Sequence, residues 1–336
     1  MTLNLESLAA DILKGSARAL ARGLTVVEKG GVAAEALSER IYRHAGAAHV
    51  VGITGSPGTG KSTLARALAR LARVRGLTVG IVAVDPSSPF SGGSILGDRI
   101  RMNDLSMDPG VFVRSMATRG ALGGLCPAVA DSVDLMDAAG KKLVIVETVG
   151  VGQDEVDIME LAQTVLVVSV PGLGDDIQTL KAGILEIADL HVVNKADRPE
   201  ASRLVADLNS IAMLAAPVQR AWVPPVLSCV AVREEGIEPI LDAVTQHAAA
   251  LRNSGEMESR HRRIVKARVL RIAQQLLKSA IGNPGNDSEA MLGRVARRDL
   301  GPHACARVLL ASMAAFNEAS RDAADPLRPP QESSAR

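Results

Sequence analysis

From residue 49 onward, short runs of Val, Ile and Leu recur between stretches with helical periodicity: HVVGIT (49–54), TVGIVAVD (78–85), KLVIVET (142–148), TVLVVSV (164–170), DLHVVNK (189–195) and VPPVLSC (223–229). None of these runs alternates apolar with polar residues, as a strand with one wet face must. They read as strands buried on both faces, and a parallel sheet covered by helices on each side buries them that way. Helices fit the intervening stretches 62–75, 124–139, 176–187, 199–215 and 236–252. The pattern predicts an α/β fold with a doubly wound, mostly parallel sheet.

Both flanks read as helical. Leu5, Leu8, Ile12 and Leu20 predict one helix over 5–22, interrupted at Gly23 and at Glu28-Lys29-Gly30-Gly31, with a second over 32–43. Beyond Gly255 the strands stop. Val265, Val269, Ile272, Leu276 and Ala280 form an apolar stripe along a helix at 257–281, with Arg262, Arg263, Lys266 and Arg271 on its other faces. Past a loop at Asn283-Pro284-Gly285-Asn286, helices fit 288–299 and 302–318, the latter with Cys305, Leu309 and Phe316 on one stripe. The domain reading is a helical extension over 1–45, a core over 46–255, a helical arm over 256–322 and a disordered tail over 323–336. Apolar stripes outside the sheet domain need a partner surface, so the arm is expected to build a homodimer.

Composition narrows the chemistry. The chain has 336 residues, with 38 Lys plus Arg against 37 Asp plus Glu, and no dense basic block. Five aromatics, Tyr42, Phe90, Phe112, Trp222 and Phe316, leave few platforms for stacking bases. No nucleic-acid partner is therefore expected. The apolar runs, such as Thr164 to Val170, fall well short of the roughly 20 residues that span a bilayer, so no membrane association is expected. Glu6 and Asp11 break up the opening stretch, which does not read as a secretory signal. Cys126, Cys229 and Cys305 lie far apart and suit a reducing cytosol or organelle matrix, and a cytoplasmic location is expected.

Gly55-Ser56-Pro57-Gly58-Thr59-Gly60-Lys61-Ser62 matches the phosphate-loop pattern G-x-x-x-x-G-K-[ST] in full, followed by Thr63. It leaves an apolar strand and opens a helix, so loop amides and the positive helix end can converge on a triphosphate. Lys61 can then reach the β and γ oxygens, and Ser62 can ligate Mg²⁺. Asn194-Lys195-Ala196-Asp197 ends a later strand, where an N-K-x-D motif would meet the base. Asp197 would accept from guanine N1–H and its exocyclic amine, whereas adenine offers a ring acceptor at that edge, so GTP and GDP are the expected ligands. Ser228, ending the next strand, could supply a backbone amide to the guanine oxygen. Glu147-Thr148-Val149-Gly150 stands where phosphate-loop GTPases carry D-x-x-G. Glu147 can hold Mg²⁺ through water, the Gly150 amide can sense the γ-phosphate, and Asp85, ending its strand, would face the same ion. Val151 follows that glycine and cannot orient a water, so slow intrinsic hydrolysis is expected.

On these motifs, together with VDPSSPFSGGSILGDRIRM (84–102), ETVGVGQDE (147–155) and PGLGDDIQTLKAGILEIADLHVVNKAD (171–197), the chain resembles the MeaB/ArgK-type GTPases, which include the methylmalonic aciduria type A protein. The resemblance covers roughly residues 40–250. It implies a dimerising GTPase that gates cofactor loading and protects or reactivates an adenosylcobalamin-dependent acyl-CoA mutase. It further implies Mg²⁺ handling by Ser62, Asp85, Asp98 and Glu147, with a first switch from Asp85 to Met102 and a second from Glu147 to Glu155. A third loop falls on Pro171 to Lys181, where Asp175, Gln178 and Lys181 would communicate with the partner or the facing subunit. The partner stays open among methylmalonyl-, isobutyryl-, 2-hydroxyisobutyryl- and ethylmalonyl-CoA enzymes. Two alternatives share the motifs less well. A nickel- or cobalt-insertion GTPase would carry clustered Cys and His ligands, and a kinase of amino-acid transport proteins would carry a recognisable catalytic loop. Asp189-x-His191-x-x-Asn194 lacks the glycine of a cobalamin-ligating D-x-H-x-x-G loop, and His191 is expected to be a core or strand-edge histidine.

Overall fold

The computed structural model describes residues 4–85, 104–117, 127–148, 154–172, 186–215, 222–282 and 286–311. Among these, seven strands form one all-parallel sheet in the order β3-β2-β4-β1-β5-β6-β7: β1 His49–Thr54, β2 Val79–Asp85, β3 Val111–Ala117, β4 Leu143–Glu147, β5 Thr164–Ser169, β6 Leu190–Val193 and β7 Val226–Ser228. The helices are α1 Leu5–Leu13, α2 Ala17–Lys29, α3 Val32–Tyr42, α4 Lys61–Val74, α5 Pro127–Ala138, α6 Asp154–Asp157, α7 Ala201–Ala215, α8 Ile237–Asn253, α9 Glu256–Gly282 and α10 Asn286–Ala296. Residues 302–311 are also helical.

All but one of the apolar runs are covered as their lack of alternation predicts; the exception is β7, at the sheet edge, where Val226 and Leu227 are only partly buried and Ser228 is exposed. In β4, Val144 and Val146 pack with α1, α2, α3 and α5 on one face, while Leu143 and Ile145 pack with α4 and α8 on the other. Fully covered strands of this kind are held in register by burial on both sides.

Three features depart from the sequence reading. The helix expected over 5–22 is two helices: Lys14 and Gly15 end the first, and the Ser16 hydroxyl caps the second by accepting from the Ala19 amide at 3.3 Å. Gly23 does not interrupt α2. It is the point of closest packing, since a Cβ there would stand 2.7 Å from Ile12 Cδ1 and 2.9 Å from Leu135 Cδ2. The third is β3, an edge strand that sequence pattern missed because Arg114 and Ser115 break its apolar run. Arg114 turns inward to a half-buried ion pair with Glu28 of α2, which fixes the helical extension to the sheet edge.

The first compact unit runs from Met1 to Val269 and the second from Leu270 to Arg336. The opening turns of α9 therefore belong with the sheet. Arg260 forks onto Asp189 at 2.6 and 2.9 Å, and Arg268 reaches Asp131 at 2.7 Å and Asp134 at 2.6 Å on α5. In the second unit Cys305 and Leu309 are buried, and Leu276, Leu292, Val308 and Leu310 are exposed.

Burial also sets an acid limit. His49 and His191 are held neutral by desolvation, each pushed down to about 4, and burial pushes the Asp134 carboxyl up to about 6. A histidine with a depressed pKa stabilises the fold fully above its unfolded value and loses that contribution as pH falls toward the folded one. Asp134 works in the opposite sense across much of the same interval. The two histidines outweigh it, so unfolding free energy should fall by about 3 kcal/mol between pH 6.5 and pH 4. Urea titrations across that range should show the loss, and His191→Gln should flatten it.

Candidate functional site

Strands β1, β4, β6 and β7 end at one edge of the sheet, and the candidate residues sit on the turns that leave them. A parallel sheet delivers its loops to the carboxyl ends of the strands, where ligands of such folds bind. The phosphate loop leaves β1 and closes as α4 begins. Lys61 is buried, and its ammonium donates to the Gly55 carbonyl at 2.8 Å and the Ser56 carbonyl at 3.1 Å. The Thr59 hydroxyl donates to Ser56 O at 2.9 Å and tightens the loop further. Beside it, the Ser62 hydroxyl donates to Glu147 Oε1 at 2.6 Å, with both residues buried. The register explains this meeting: β1 lies directly against β4, with Ile53 opposite Glu147. One residue on, the Thr148 amide donates to Ile53 O at 3.0 Å, and the Thr148 hydroxyl donates to that of Thr54 at 3.1 Å.

Asn194 joins the phosphate loop to the other half of the site. Its Nδ2 donates to Thr59 O at 2.8 Å, while its Oδ1 accepts from the Lys195 amide at 2.8 Å and the Ala231 amide at 3.0 Å. This close crossing requires Gly60, where a Cβ would stand 2.4 Å from Asn194 Nδ2 and where φ is +89°. Lys195 itself adopts φ +56° and donates from Nζ to Gly58 O at 2.8 Å. The two motifs, more than 130 residues apart, are thus stitched into one frame. Asp197 is exposed at the rim and accepts from Arg233 Nη1 at 3.2 Å. Ser228 closes β7 and is exposed, and the following Cys229 amide is spent on Val193 O at 2.9 Å.

The structure brings together Gly55, Ser56, Pro57, Gly58, Thr59, Gly60, Lys61, Ser62, Thr63, Glu147, Asn194 and Lys195, with Asp197 and Ser228 on the adjoining turns. Asp85 ends β2, two residues beyond the position opposite Glu147. Asp98, Gly150, Val151, Asp175, Gln178 and Lys181 lie outside the described residues, as do most of the first switch, the centre of the second and residues 173–185 of the third loop. The entry to that third loop is described, and there Arg198, the residue directly after the base motif, donates to Pro171 O at 3.2 Å. His191 lies within the core, 3% exposed, and Asp189 is engaged by Arg260, so neither presents a ligand to solvent. Sequence reasoning missed Arg233, which carries no motif and lies 36 residues from Asp197.

A phosphate loop between the first strand and helix of a parallel sheet, bridged by asparagine to an N-K-x-D turn, defines a P-loop protein of the guanine-nucleotide-binding class. The family follows from the whole chain. Residues 20–285 match the model of "Methylmalonyl Co-A mutase-associated GTPase MeaB", and the chain belongs to that family. It is 44% identical over 301 residues to a protein of Pyrococcus abyssi, covering 88% of this chain and 93% of that one. It is also 31% identical over 318 residues to the mitochondrial methylmalonic aciduria type A homolog of Caenorhabditis elegans, covering 87% of this chain and 80% of the relative. Among solved structures, the crystal structure of an LAO/AO transport system kinase superposes with a TM-score of 0.70 at 27% identity, covering 94% of this chain and all of that one. The protein is therefore a GTPase of the MeaB family, and it binds guanine nucleotides.

Proposed function

We propose that this GTPase is the G-protein chaperone of an adenosylcobalamin-dependent acyl-CoA mutase, gating cofactor loading and protecting or reactivating the enzyme. The observation that carries the reading is the match of residues 20–285 to a mutase-associated GTPase family, on a site whose phosphate and base halves are joined by Asn194. No helix among the described residues is long and apolar enough to cross a membrane. The cytoplasm, where such a mutase would meet it, is the proposed compartment.

Within the site, the loop from Gly55 to Thr63 cradles the phosphates, and Lys61 moves from its two loop carbonyls to the β and γ oxygens. Asp197 reads the base, with Asn194 and Lys195 holding the frame and the turn at Ser228 closing it. The hydroxyl of Ser62 and the carboxylate of Glu147 are adjacent hard oxygen donors, the set that Mg²⁺ prefers. They fit the ion, with Asp85 and Asp98 completing its surroundings. When bound, Mg²⁺ would neutralise the phosphate charge. The chain's own part is to hold the triphosphate in line, to place the Glu147 carboxyl beside Ser62, and to let the Gly150 amide sense the γ-phosphate. A partner that orders Lys181 and Asp98 around the γ-phosphate would supply charge stabilisation, Lys181 directly and Asp98 through the ion it would help to hold. Mutase binding and nucleotide state are then linked in both directions, because each biases the same switch segments. The exposed apolar side chains Val269, Leu270, Ile272 and Leu276 of α9 support the homodimer reading, which the mass in solution tests.

GTP turnover with and without a cobalamin-dependent mutase tests the proposal. A stimulation of roughly a hundredfold is expected, equivalent to about 3 kcal/mol of transition-state stabilisation. Rapid intrinsic hydrolysis unchanged by methylmalonyl-, isobutyryl-, 2-hydroxyisobutyryl- or ethylmalonyl-CoA mutase would overturn it.

A further inference from the structure

We propose that Arg233 is a positioning residue for base selection, holding the Asp197 carboxylate so that both of its oxygens meet the guanine edge. The inference rests on the reading of Asp197 as the base-binding carboxylate and adds a second residue to it. Asp197 is 44% exposed, and a short carboxylate at a rim is free to turn its oxygens away from a ligand. Arg233 Nη1 reaches Asp197 Oδ2 at 3.2 Å. The other edge of the guanidinium is pinned in turn, with Nε donating to Glu235 Oε1 at 2.8 Å and Nη2 to Glu235 Oε2 at 3.1 Å. A forked pair of this kind fixes the plane of the guanidinium as well as its position.

The backbone beneath keeps the three residues in place. Val230 and Glu235 face each other across an antiparallel bridge, with Val230 N donating to Glu235 O at 3.0 Å. That turn is sewn to the base motif by the Ala231 amide on Asn194 Oδ1 at 3.0 Å and by the Ala196 amide on Cys229 O at 3.0 Å. On its outer side Arg70 of α4, the helix that follows the phosphate loop, pairs with Glu234 at 2.8 Å. The contact between Arg233 and Asp197 therefore joins two turns already locked together.

Exposed ion pairs add little to folding stability, so this one should show itself in selection. Each carboxylate oxygen has two acceptor positions. Guanine N1–H and the exocyclic amine use one on each oxygen, and Arg233 uses a second position on Oδ2. The order Glu235, Arg233, Asp197, base is a chain of charge-assisted hydrogen bonds in which the arginine sets the carboxylate plane. Without it Asp197 can still meet one donor in a turned rotamer. Hypoxanthine, which lacks the exocyclic amine, then separates the two situations.

Calorimetry with GDP, IDP and ADP on the full-length protein tests the idea. In the wild type GDP should bind more tightly than IDP, and IDP more tightly than ADP. Arg233→Ala should weaken GDP by about tenfold while changing IDP less than about threefold, so the preference for GDP over IDP collapses. Glu235→Gln should move the same ratio in the same direction by a smaller factor, and Arg233→Lys should restore part of it. Equal weakening of GDP and IDP would show a merely structural turn and overturn the proposal, as would an unchanged ratio in Arg233→Ala. Failure of the underlying reading looks different. There the wild type would bind ADP as tightly as GDP, or Asp197→Asn would leave GDP over ADP unchanged.

Discussion

Lys61→Ala is expected to abolish detectable GTP turnover, a fall of at least about a hundredfold, while leaving the nucleotide-free protein folded. The ammonium is buried, at 5% exposure, and its donors are accepted by two carbonyls of its own loop. A buried lysine gains little net stability from such an arrangement, because desolvation offsets much of what the hydrogen bonds return. Its value lies in the ligand-bound state, where the same donors face phosphate oxygens and each charge-assisted contact contributes about 1.5–3 kcal/mol. The variant should therefore melt close to the wild type without nucleotide. It should also lose the rise in Tm that saturating GDP gives the wild type, which at a hundred times Kd corresponds to about 2.7 kcal/mol. Thermal melts with and without GDP, alongside phosphate release, check both halves. A variant that keeps the GDP-induced rise and half its turnover would remove Lys61 from the site. Arginine is no rescue at this position, since its planar fork cannot follow the path of a four-carbon stem through the loop.

The legible parts of this protein were those in which a short run of sequence has one physical solution. Unalternating strands need cover on both faces, and the runs in β1, β2, β4, β5 and β6 lie where their pattern places them. The phosphate loop and the asparagine of the base motif are legible for the same reason, since backbone amides and a bridging side chain need those residue types at that spacing. What stayed hidden depends on partners far along the chain. β3 shows no apolar run because Arg114 is satisfied by Glu28, 86 residues earlier. Gly23 reads as a helix breaker until Ile12 and Leu135 are seen against it. The Arg233 and Asp197 pair depends on β7 lying parallel against β6, which sets the turns that leave the two strands side by side. Nothing local marks Arg260 or Arg268 as different from the exposed Arg262 and Arg263 near them in a helix with arginines on several faces. The strands ending near 229 suggest a core that stops by residue 255, yet the compact unit extends to Val269 through those two arginines.

Arg260→Ala should be the most destabilising single change in α9, by about 3–5 kcal/mol, because it strands a buried carboxylate. Asp189 lies at the amino-terminal edge of β6, 7% exposed, and its Oδ2 also accepts from the Val165 amide at 2.8 Å. Around it, His247 Nε2 stands 3.3 Å from Oδ1, and His247 Nδ1 is 2.8 Å from the Thr164 hydroxyl, which in turn is 2.8 Å from His49 Nε2. With both imidazoles neutral, in keeping with the downward shift that burial gives each, one direction of donation runs through His49, Thr164 and His247 to Asp189. His49 donates to Thr164, Thr164 donates to His247 Nδ1, and His247 Nε2–H donates to Asp189. Protonating His247 replaces the arginine poorly, since its bond with Thr164 would reverse and the Thr164 hydroxyl, accepting from both imidazoles, would have its own proton left without either of them as acceptor. For a unit of this size a loss of 3–5 kcal/mol corresponds to a drop in Tm of roughly 6–20 °C. The paired replacement Asp189→Asn with Arg260→Met should cost less than Arg260→Ala alone, because it removes the buried charge along with its partner. Hydrogen exchange should lose protection first in residues 256–269, the part of α9 that belongs with the sheet, while the phosphate loop at the opposite edge keeps its protection. A melt of Arg260→Ala within a degree of wild type would mean that water or another group reaches Asp189, and the clamp would then contribute nothing to holding α9 on the core.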